Sequence, residues 1–495
     1  MIISKTRYQR GIGCERILWL DVHMPEAAEA EEDLSRARQG TLVGELARDL
    51  YGPHETIPYS QDKSLMIRMT DDLLEKGTPV ICEASFSCDN AFCSVDLLIN
   101  HGNGHVDIVE VKSSGELKPE YIDDAAFQTR VLIRNRLIVD RVYIAFINKA
   151  YIRQGDLDIQ QLFIQQDVTE EVKQKLPEVD ENLCRFLTVL CSPEEPVMEF
   201  GADCPECTYW KHCSRDLPHP NVFDLPGASG FNKNHKLKLY QQGCVAYEDL
   251  KDRPELKDRQ KATVHGALLG ETRTDQEHIR EFLQRLSFPL YFLDFESFNP
   301  AVPPYDDTRP YQQISFQYSL HWLETPDGIL HHSEFLGDPE TSPSRPLAEQ
   351  LSRDIPKDVC VTAYNMSFEK TVIKQLADQF PDLADHLLNI RDHIQDLMIP
   401  FSKLHWYLPA MQGSYSIKYV LPALYPDDPE LDYHNLEEIH KGTEASEAFV
   451  MMAEMTPEER QRTRTNLLKY CGLDTLAMVR VWEALVKAVE DEGIS

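Results

Sequence analysis

The segment YFLDFESF at residues 291–298 sets two carboxylates, Asp294 and Glu296, two positions apart in a run of aromatic and apolar residues. In an extended strand, residues i and i+2 project from one face, so both acids point into one space. Like charges held that close repel and raise each other's pKa unless a cation holds both. An earlier grouping has the same logic. Asp96 in SVDLLIN is separated by thirteen residues from Glu110, which with Lys112 lies in VEVKSS. Glu110 and Lys112 share a strand face, and an acid on the adjacent strand completes a cluster able to hold a divalent metal beside an ammonium. Such a metal lowers the pKa of a bound water, and the lysine orients that water or neutralises developing charge.

Two later segments add to the first pair. VTAYNMSFEKTVIKQLA reads as a strand, a polar turn at Asn365, and a helix carrying Phe368 and Glu369. LLKYCGLDTLAMVRVWEAL places Tyr470 and Asp474 at i, i+4, on one helical face. Asp294, Glu296, Glu369 and Asp474 then form a pocket for two metals about 3.5–4 Å apart, clamping the attacking and leaving oxygens of a phosphodiester. Tyr470 is placed to position or help activate the water. Around the earlier group, QGTLVGELARDLYG starts a helix with Glu45 about one turn in, and YIDDAAFQTRVLI sets Tyr121 and Gln128 on one helical face. CPECTYWKHC supplies Cys204, Cys207 and Cys213, three thiolates that leave a soft metal centre one ligand short. Cys14 in GCERILWL is the candidate fourth, and the spacing leaves zinc and an iron–sulfur cluster open. The remaining cysteines read as core or surface thiols.

The elements that must position these residues fall into two α/β domains with a connector between them. At 495 residues, with 42% hydrophobic and 9% aromatic residues, the chain has the size and composition of a globular protein of two or more domains. Residues 1–218 mix helical patterns with strands such as AFCSVDLLIN and HVDIVEVKSS. A Pro/Gly/Asn-rich stretch then leads into a helical connector, residues 219–286, with bases at Lys251, Arg253, Lys257, Arg259 and Lys261. It faintly resembles a helix-hairpin-helix module. Residues 287–495 form the second domain. No apolar run is long enough to span a membrane, and the N-terminus lacks a secretory h-region, so a cytoplasmic protein without membrane contact is expected. Twelve cysteines in that setting point to thiols or metal ligation rather than disulfides. A formal charge of −32 weighs against non-specific coating of nucleic acid, though not against an enzyme with a narrow basic channel.

With Glu45, Asp96, Glu110, Lys112 and Gln128 in order, the first domain resembles the RecB-like branch of the PD-(D/E)xK nucleases, with a restriction-endonuclease-like fold. The tyrosine that usually follows the family's glutamine has no counterpart close to Gln128. Iron–sulfur members of that branch use one early and three late cysteines, which implies a 4Fe-4S cluster on Cys14, Cys204, Cys207 and Cys213, with zinc as the alternative. The second domain resembles the DnaQ-like DEDD exonucleases, with an RNase H-type fold, in their tyrosine-containing form. Asp294 and Glu296 match its first motif, and Tyr470 with Asp474 its third. Glu369 stands where the family has aspartate, and Asp396 in IQDLMIPF is an auxiliary strand-end acid. RPYQQISFQYSLH and MQGSYSIKYVLPALYP also resemble a bacterial domain family attached to RecB-like nucleases. These resemblances imply an Mg²⁺- or Mn²⁺-dependent nuclease acting on DNA, by 3′–5′ exonucleolysis in the second domain, in repair, recombination or defence. Two alternatives stand beside it: a nucleic-acid-binding or scaffold protein with one degenerate site, and an RNA-processing exonuclease.

Overall fold

A computed structural model describes residues 2–29, 34–431 and 435–490. The chain is mixed α/β and divides into two compact units. Among the described residues no helix is long and apolar enough to cross a membrane.

The first unit comprises Met1–Arg215 together with Pro300–Gln312. Its sheet contains β1 (Ile3–Ser4), β2 (Glu55–Thr56), β3 (Val80–Cys88), β4 (Ala91–Gly102), β5 (His105–Lys112), β6 (Ile138–Ile147) and β7 (Phe163–Asp167). The order is β2-β3-β4-β5-β6-β7, with β1 parallel beside β4. β3, β4 and β5 form an antiparallel meander, turned at Asp89–Asn90 and Asn103–Gly104, all four with positive φ. Asn, Asp and Gly tolerate that conformation, which matches the twist of hairpin strands. Six helices matter here: α1 (Lys5–Gly13), α2 (Glu15–His23), α3 (Leu34–Ala47), α4 (Lys63–Glu75), α5 (Pro119–Arg134) and α6 (Thr169–Cys191). One core packs Tyr8, Phe127 and Phe186 of α1, α5 and α6 against Phe86, Val95 and Ile108. The other face packs Val43 and Ala47 of α3 against Leu97 and Val109.

The sheet's alternation slips at one place. Cys82 pairs with Leu97 and Ala84 with Val95, so Glu83 faces Asp96 between them, and Glu83 has φ 60°. Val95 belongs to one core and Leu97 to the other, although residues two apart ordinarily share a face. Irregularities of this kind re-aim a side chain without ending the strand.

Pro300–Gln312 was expected to lie within the second domain, yet it completes the first unit. Ala301 and Val302 are buried with α3, Arg153 Nη1 donates to the Pro304 carbonyl (2.8 Å), and the Tyr311 hydroxyl donates to the Ser113 carbonyl.

The second unit comprises Asp216–Asn299 and Gln313–Ser495, so the connector packs with it. Its main sheet contains β8 (Leu290–Phe298), β9 (Ile314–Leu323), β10 (His331–Leu336), β11 (Cys360–Ala363) and β12 (Ile394–Asp396), in the order β10-β9-β8-β11-β12. The first three are antiparallel, and β11 and β12 run parallel to β8. The helices used below are α7 (Asp258–Leu269), α8 (Ser344–Asp354), α9 (Ser367–Gln379), α10 (Ala384–Asp392), α11 (Ile417–Leu424), α12 (Gly442–Met451) and α13 (Pro457–Glu490). Leu293 and Phe295 of β8 pack against α8, α9 and α10. Asp294 and Glu296 therefore face the side that α13 covers.

Candidate metal centres

In the second unit, β8 delivers Asp294 and Glu296 and α13 delivers Asp474. Their carboxylate oxygens lie within 4.8 Å of one another. Glu369, in the first turn of α9, is 2% exposed, and its Oε2 has no hydrogen-bond partner. The turn that launches α9 is fixed by Asp396, whose Oδ1 accepts the amides of Asn365 and Met398, both at 3.0 Å. Gly442 opens α12 beside Glu296, where even a Cβ would stand 3.4 Å from Oε2. The buried Cys471 thiol faces Asp294 Oδ2 at 3.7 Å.

Burial first, and then mutual repulsion, governs the charges. Burial, Asp474, Glu296 and Glu369 push Asp294 well above the carboxylate range. Burial and Asp474 push Glu296 up to about 8, against the pull of Lys418. Burial likewise takes Glu369 to about 8, with Asp396 adding to the shift. Tyr470 is raised by burial and then by Asp474, Glu296 and Asp294, so its hydroxyl stays a proton donor. A group of acids in this condition is the environment a divalent cation relieves.

Asp294 and Asp474 also line a cleft of about 1120 Å³, together with Tyr364, Tyr415, Tyr419 and, from the connector, Tyr247. The connector's basic character does not all face solvent. Arg259 of α7 is 9% exposed, donates to the carbonyls of Ser402 (2.6 Å) and Gly413 (3.1 Å), and lies 4.3 Å over the Tyr415 ring. It clamps a cleft loop in which Gly413 has φ 77° and a Cβ would meet Thr263 Oγ1 at 2.2 Å.

In the first unit, Asp96, Glu110, Lys112 and Gln128 come together. Lys112 Nζ donates to Glu110 Oε1 (2.7 Å) and to Asp124 Oδ2, while Gln128 Nε2 donates to Glu110 Oε2. Asp96 Oδ2 accepts the Val111 amide at 2.7 Å. A second ammonium enters from the N-terminus: Lys5 Nζ lies 2.7 Å from Glu110 Oε1 and 3.8 Å from Asp124 Oδ2. Pairing of β1 with β4 and the Ser4 cap of α1 hold Lys5 there. Burial and Glu110 push Asp96 up to about 7 and Asp124 up to about 6, against the lysines. Burial alone would raise Glu110 too, but Lys5, Lys112 and Gln128 bring it well below the usual range. Asp124 Oδ1 and Gln128 Oε1 are buried without a hydrogen-bond partner. Tyr121, whose ring lies 5.2 Å from Lys112 Nζ, faces the same pocket.

Glu45 corrects the sequence-based expectation. It is exposed on α3 and has no hydrogen bond or ion pair among the described residues. Asp124, one turn before Gln128 on α5, stands in the cluster where Glu45 was expected. The i, i+4 spacing of Asp124 and Gln128 was a readable signal; Lys5 had none, because β1 alone brings it there.

Cys14 and Cys204 lie near Cys207, and Cys14 and Cys207 near Cys213. Burial raises the Cys207 and Cys213 thiols, and the charge of Cys14 acts on both. The Gly201 amide donates to Cys204 Sγ (3.1 Å) and the Tyr209 amide to Cys207 Sγ (3.4 Å), while Arg16 donates to Cys213. Hydrogen bonds of this type stabilise sulfur that carries negative charge.

Residues 291–416 match the model of a domain of unknown function, DUF2779. That stretch contains Asp294, Glu296, Glu369 and Asp396 and stops before Tyr470 and Asp474. An uncharacterized protein of Ureaplasma parvum serovar 3, UU173, is 25% identical over 234 residues, covering 43% of this chain and 33% of the relative. The match thus spans about a third of that relative's length. No solved structure matches.

Proposed function

We propose that the protein is a divalent-metal-dependent nuclease with two phosphodiester-hydrolysing centres, one in each unit. The observation that carries this reading is the convergence of Asp294, Glu296 and Asp474 within 4.8 Å, with Asp294 and Asp474 lining a cleft. Such a group of like charges is stable only with protons or cations between the carboxylates. The partnerless oxygen of Glu369, and those of Asp124 and Gln128 in the first unit, fit the same need. The sheet of three antiparallel strands continued by two parallel ones is compatible with the RNase H-type fold that the motifs imply.

Bound Mg²⁺ or Mn²⁺ would supply water activation and neutralise charge on the leaving oxygen. Asp294, Glu296, Asp474 and Glu369 would hold the ions. Tyr470, kept protonated by burial and its acidic neighbours, would donate its hydroxyl and orient the attacking water. No lysine or arginine lines the described cleft, so substrate phosphates would meet ions rather than side-chain cations. The tyrosines offer faces on which bases stack. In the first unit Asp96, Glu110 and Asp124 would hold a cation, with Lys112 beside the reacting phosphate. The four cysteines would carry an iron–sulfur cluster or zinc, and the amide donors to their sulfurs suit either. DNA is the substrate that the motif resemblance favours, and RNA is the comparison.

The test is cleavage of end-labelled single- and double-stranded DNA and RNA by anaerobically purified protein with Mg²⁺, Mn²⁺ or chelator. Metal-dependent cleavage that falls in Asp294→Asn supports the reading. A wild-type protein that cuts none of these substrates in either metal sinks it.

A further inference from the structure

The first unit's acids are already occupied by a cation of the chain's own. Glu110 is buried, and its two oxygens accept three donors: Lys5, Lys112 and Gln128. An ionised carboxylate offers about four acceptor positions, so little of Glu110 remains for a metal. Of the two ammoniums, Lys112 is anchored on the same strand as Glu110 and is bonded to Asp124 as well. Lys5 comes from elsewhere. Its side chain is 29% exposed against 18% for Lys112, and its ammonium reaches Glu110 Oε1 at 2.7 Å and Asp124 Oδ2 at 3.8 Å.

The charge balance makes the same point. With Asp96, Glu110 and Asp124 ionised, the two lysines leave the pocket at −1. A divalent cation added beside both lysines would bring it to +1, whereas without Lys5 the same ion would bring it to zero. The nearby Glu83 has its own counter-charge in Arg48, 3.9 Å away.

We propose that Lys5 is a tethered counter-ion of this pocket. Its ammonium stands in for a divalent cation between Glu110 and Asp124, and it must withdraw when that cation enters. Lys5 thereby sets the metal affinity of the first unit and keeps its acids paired when no metal is bound. It acts as a positioning residue through Glu110. This rests on the metal-dependent reading of the first unit given above, and it extends that reading to a residue outside the recognised motif.

The test measures Mn²⁺ binding to the full chain by titration calorimetry and by loss of the free-ion EPR signal. An Asp294→Asn/Asp474→Asn background removes the second unit's acid trio. Lys5→Met in that background is expected to bind Mn²⁺ about tenfold or more tightly, since an ammonium no longer opposes the ion at close range. Lys5→Arg keeps the charge and is expected to match the parent, which separates the counter-ion role from a merely structural one. Glu110→Gln marks the signal that belongs to this pocket. If the parent binds and Lys5→Met binds no tighter, the counter-ion proposal is overturned and the metal reading stands. If neither binds Mn²⁺ at a site sensitive to Glu110→Gln, both are overturned.

Discussion

The two acidic centres solve one electrostatic problem in opposite ways. In the first unit the buried acid at the middle, Glu110, is satisfied from within by Lys5, Lys112 and Gln128 and lies well below the usual carboxylate range despite burial. In the second unit Asp294, Glu296 and Glu369 are all pushed upward by burial and by neighbouring acids, Asp474 for the first two and Asp396 for Glu369, with Lys418 the cation that acts on Glu296. The first centre is closed by chain charges and opens only if one of them moves. On the proposed reading, the second holds protons where metal is absent and takes cations in their place. Removing a group should therefore have different consequences on the two sides.

The largest effect is expected from Asp294→Asn or Asp474→Asn, which should lower the second unit's cleavage on the order of 10³-fold, the scale of losing a preorganised charge-stabilising group. Single-turnover rates on end-labelled DNA measure it. A fall below tenfold would move the chemistry elsewhere. Next, Lys112→Ala should lower the first unit's cleavage on the order of 10²-fold, the lower end of the range for a positioned proton-transfer group. It leaves Glu110 with Lys5 as its remaining cation, so the variant should stay folded, as circular dichroism would show.

Arg259→Ala tests the cleft rather than the charges. Losing a buried cation from the Ser402 and Gly413 carbonyls and the Tyr415 ring should cost about 2 kcal/mol in urea unfolding. A substitution without effect would show that the loop holds itself.

The pH dependence sharpens the contrast. Glu296 and Glu369 move from an ordinary 4.5 to about 8 on folding. The folded state therefore binds more protons between those values, and stability falls as pH rises through that window. Metal-free protein should lose Tm from pH 5 towards pH 8, and Mg²⁺ or Mn²⁺ should restore more of it at pH 8. A Tm that rises over the same range would contradict the uncompensated trio. The smallest change is expected from Glu369→Asp, which withdraws the carboxylate by one methylene. Cleavage should shift by about tenfold or less, against a larger loss in Glu369→Gln.

How far the sequence discloses these centres depends on the range of the contacts. Asp294 with Glu296, and Tyr470 with Asp474, follow from the periods of a strand and a helix, and the structure sets all four around one point. Asp96 reads from the sequence as an acid on a strand, but its aim depends on the slip opposite Glu83, which no alternation pattern shows. Glu45 fits a helical pattern, yet its side of α3 faces solvent while Val43 and Ala47 face the core. Lys5 and Cys471 reach their partners through packing between segments 105 and 177 residues apart, a distance over which local periodicity carries no information. The same reason hides Pro300–Gln312, which interrupts the second unit's strands to complete the first.

The most direct test of two separate metal-dependent centres is one set of cleavage reactions with Mn²⁺. Wild type, Lys112→Ala, Asp294→Asn and the double variant would act on end-labelled single- and double-stranded DNA. Each single variant is predicted to lose a distinct part of the product pattern, and the double variant to lose all of it. A double variant that cuts as well as wild type would contradict the account, because neither acidic centre would then be the source of cleavage.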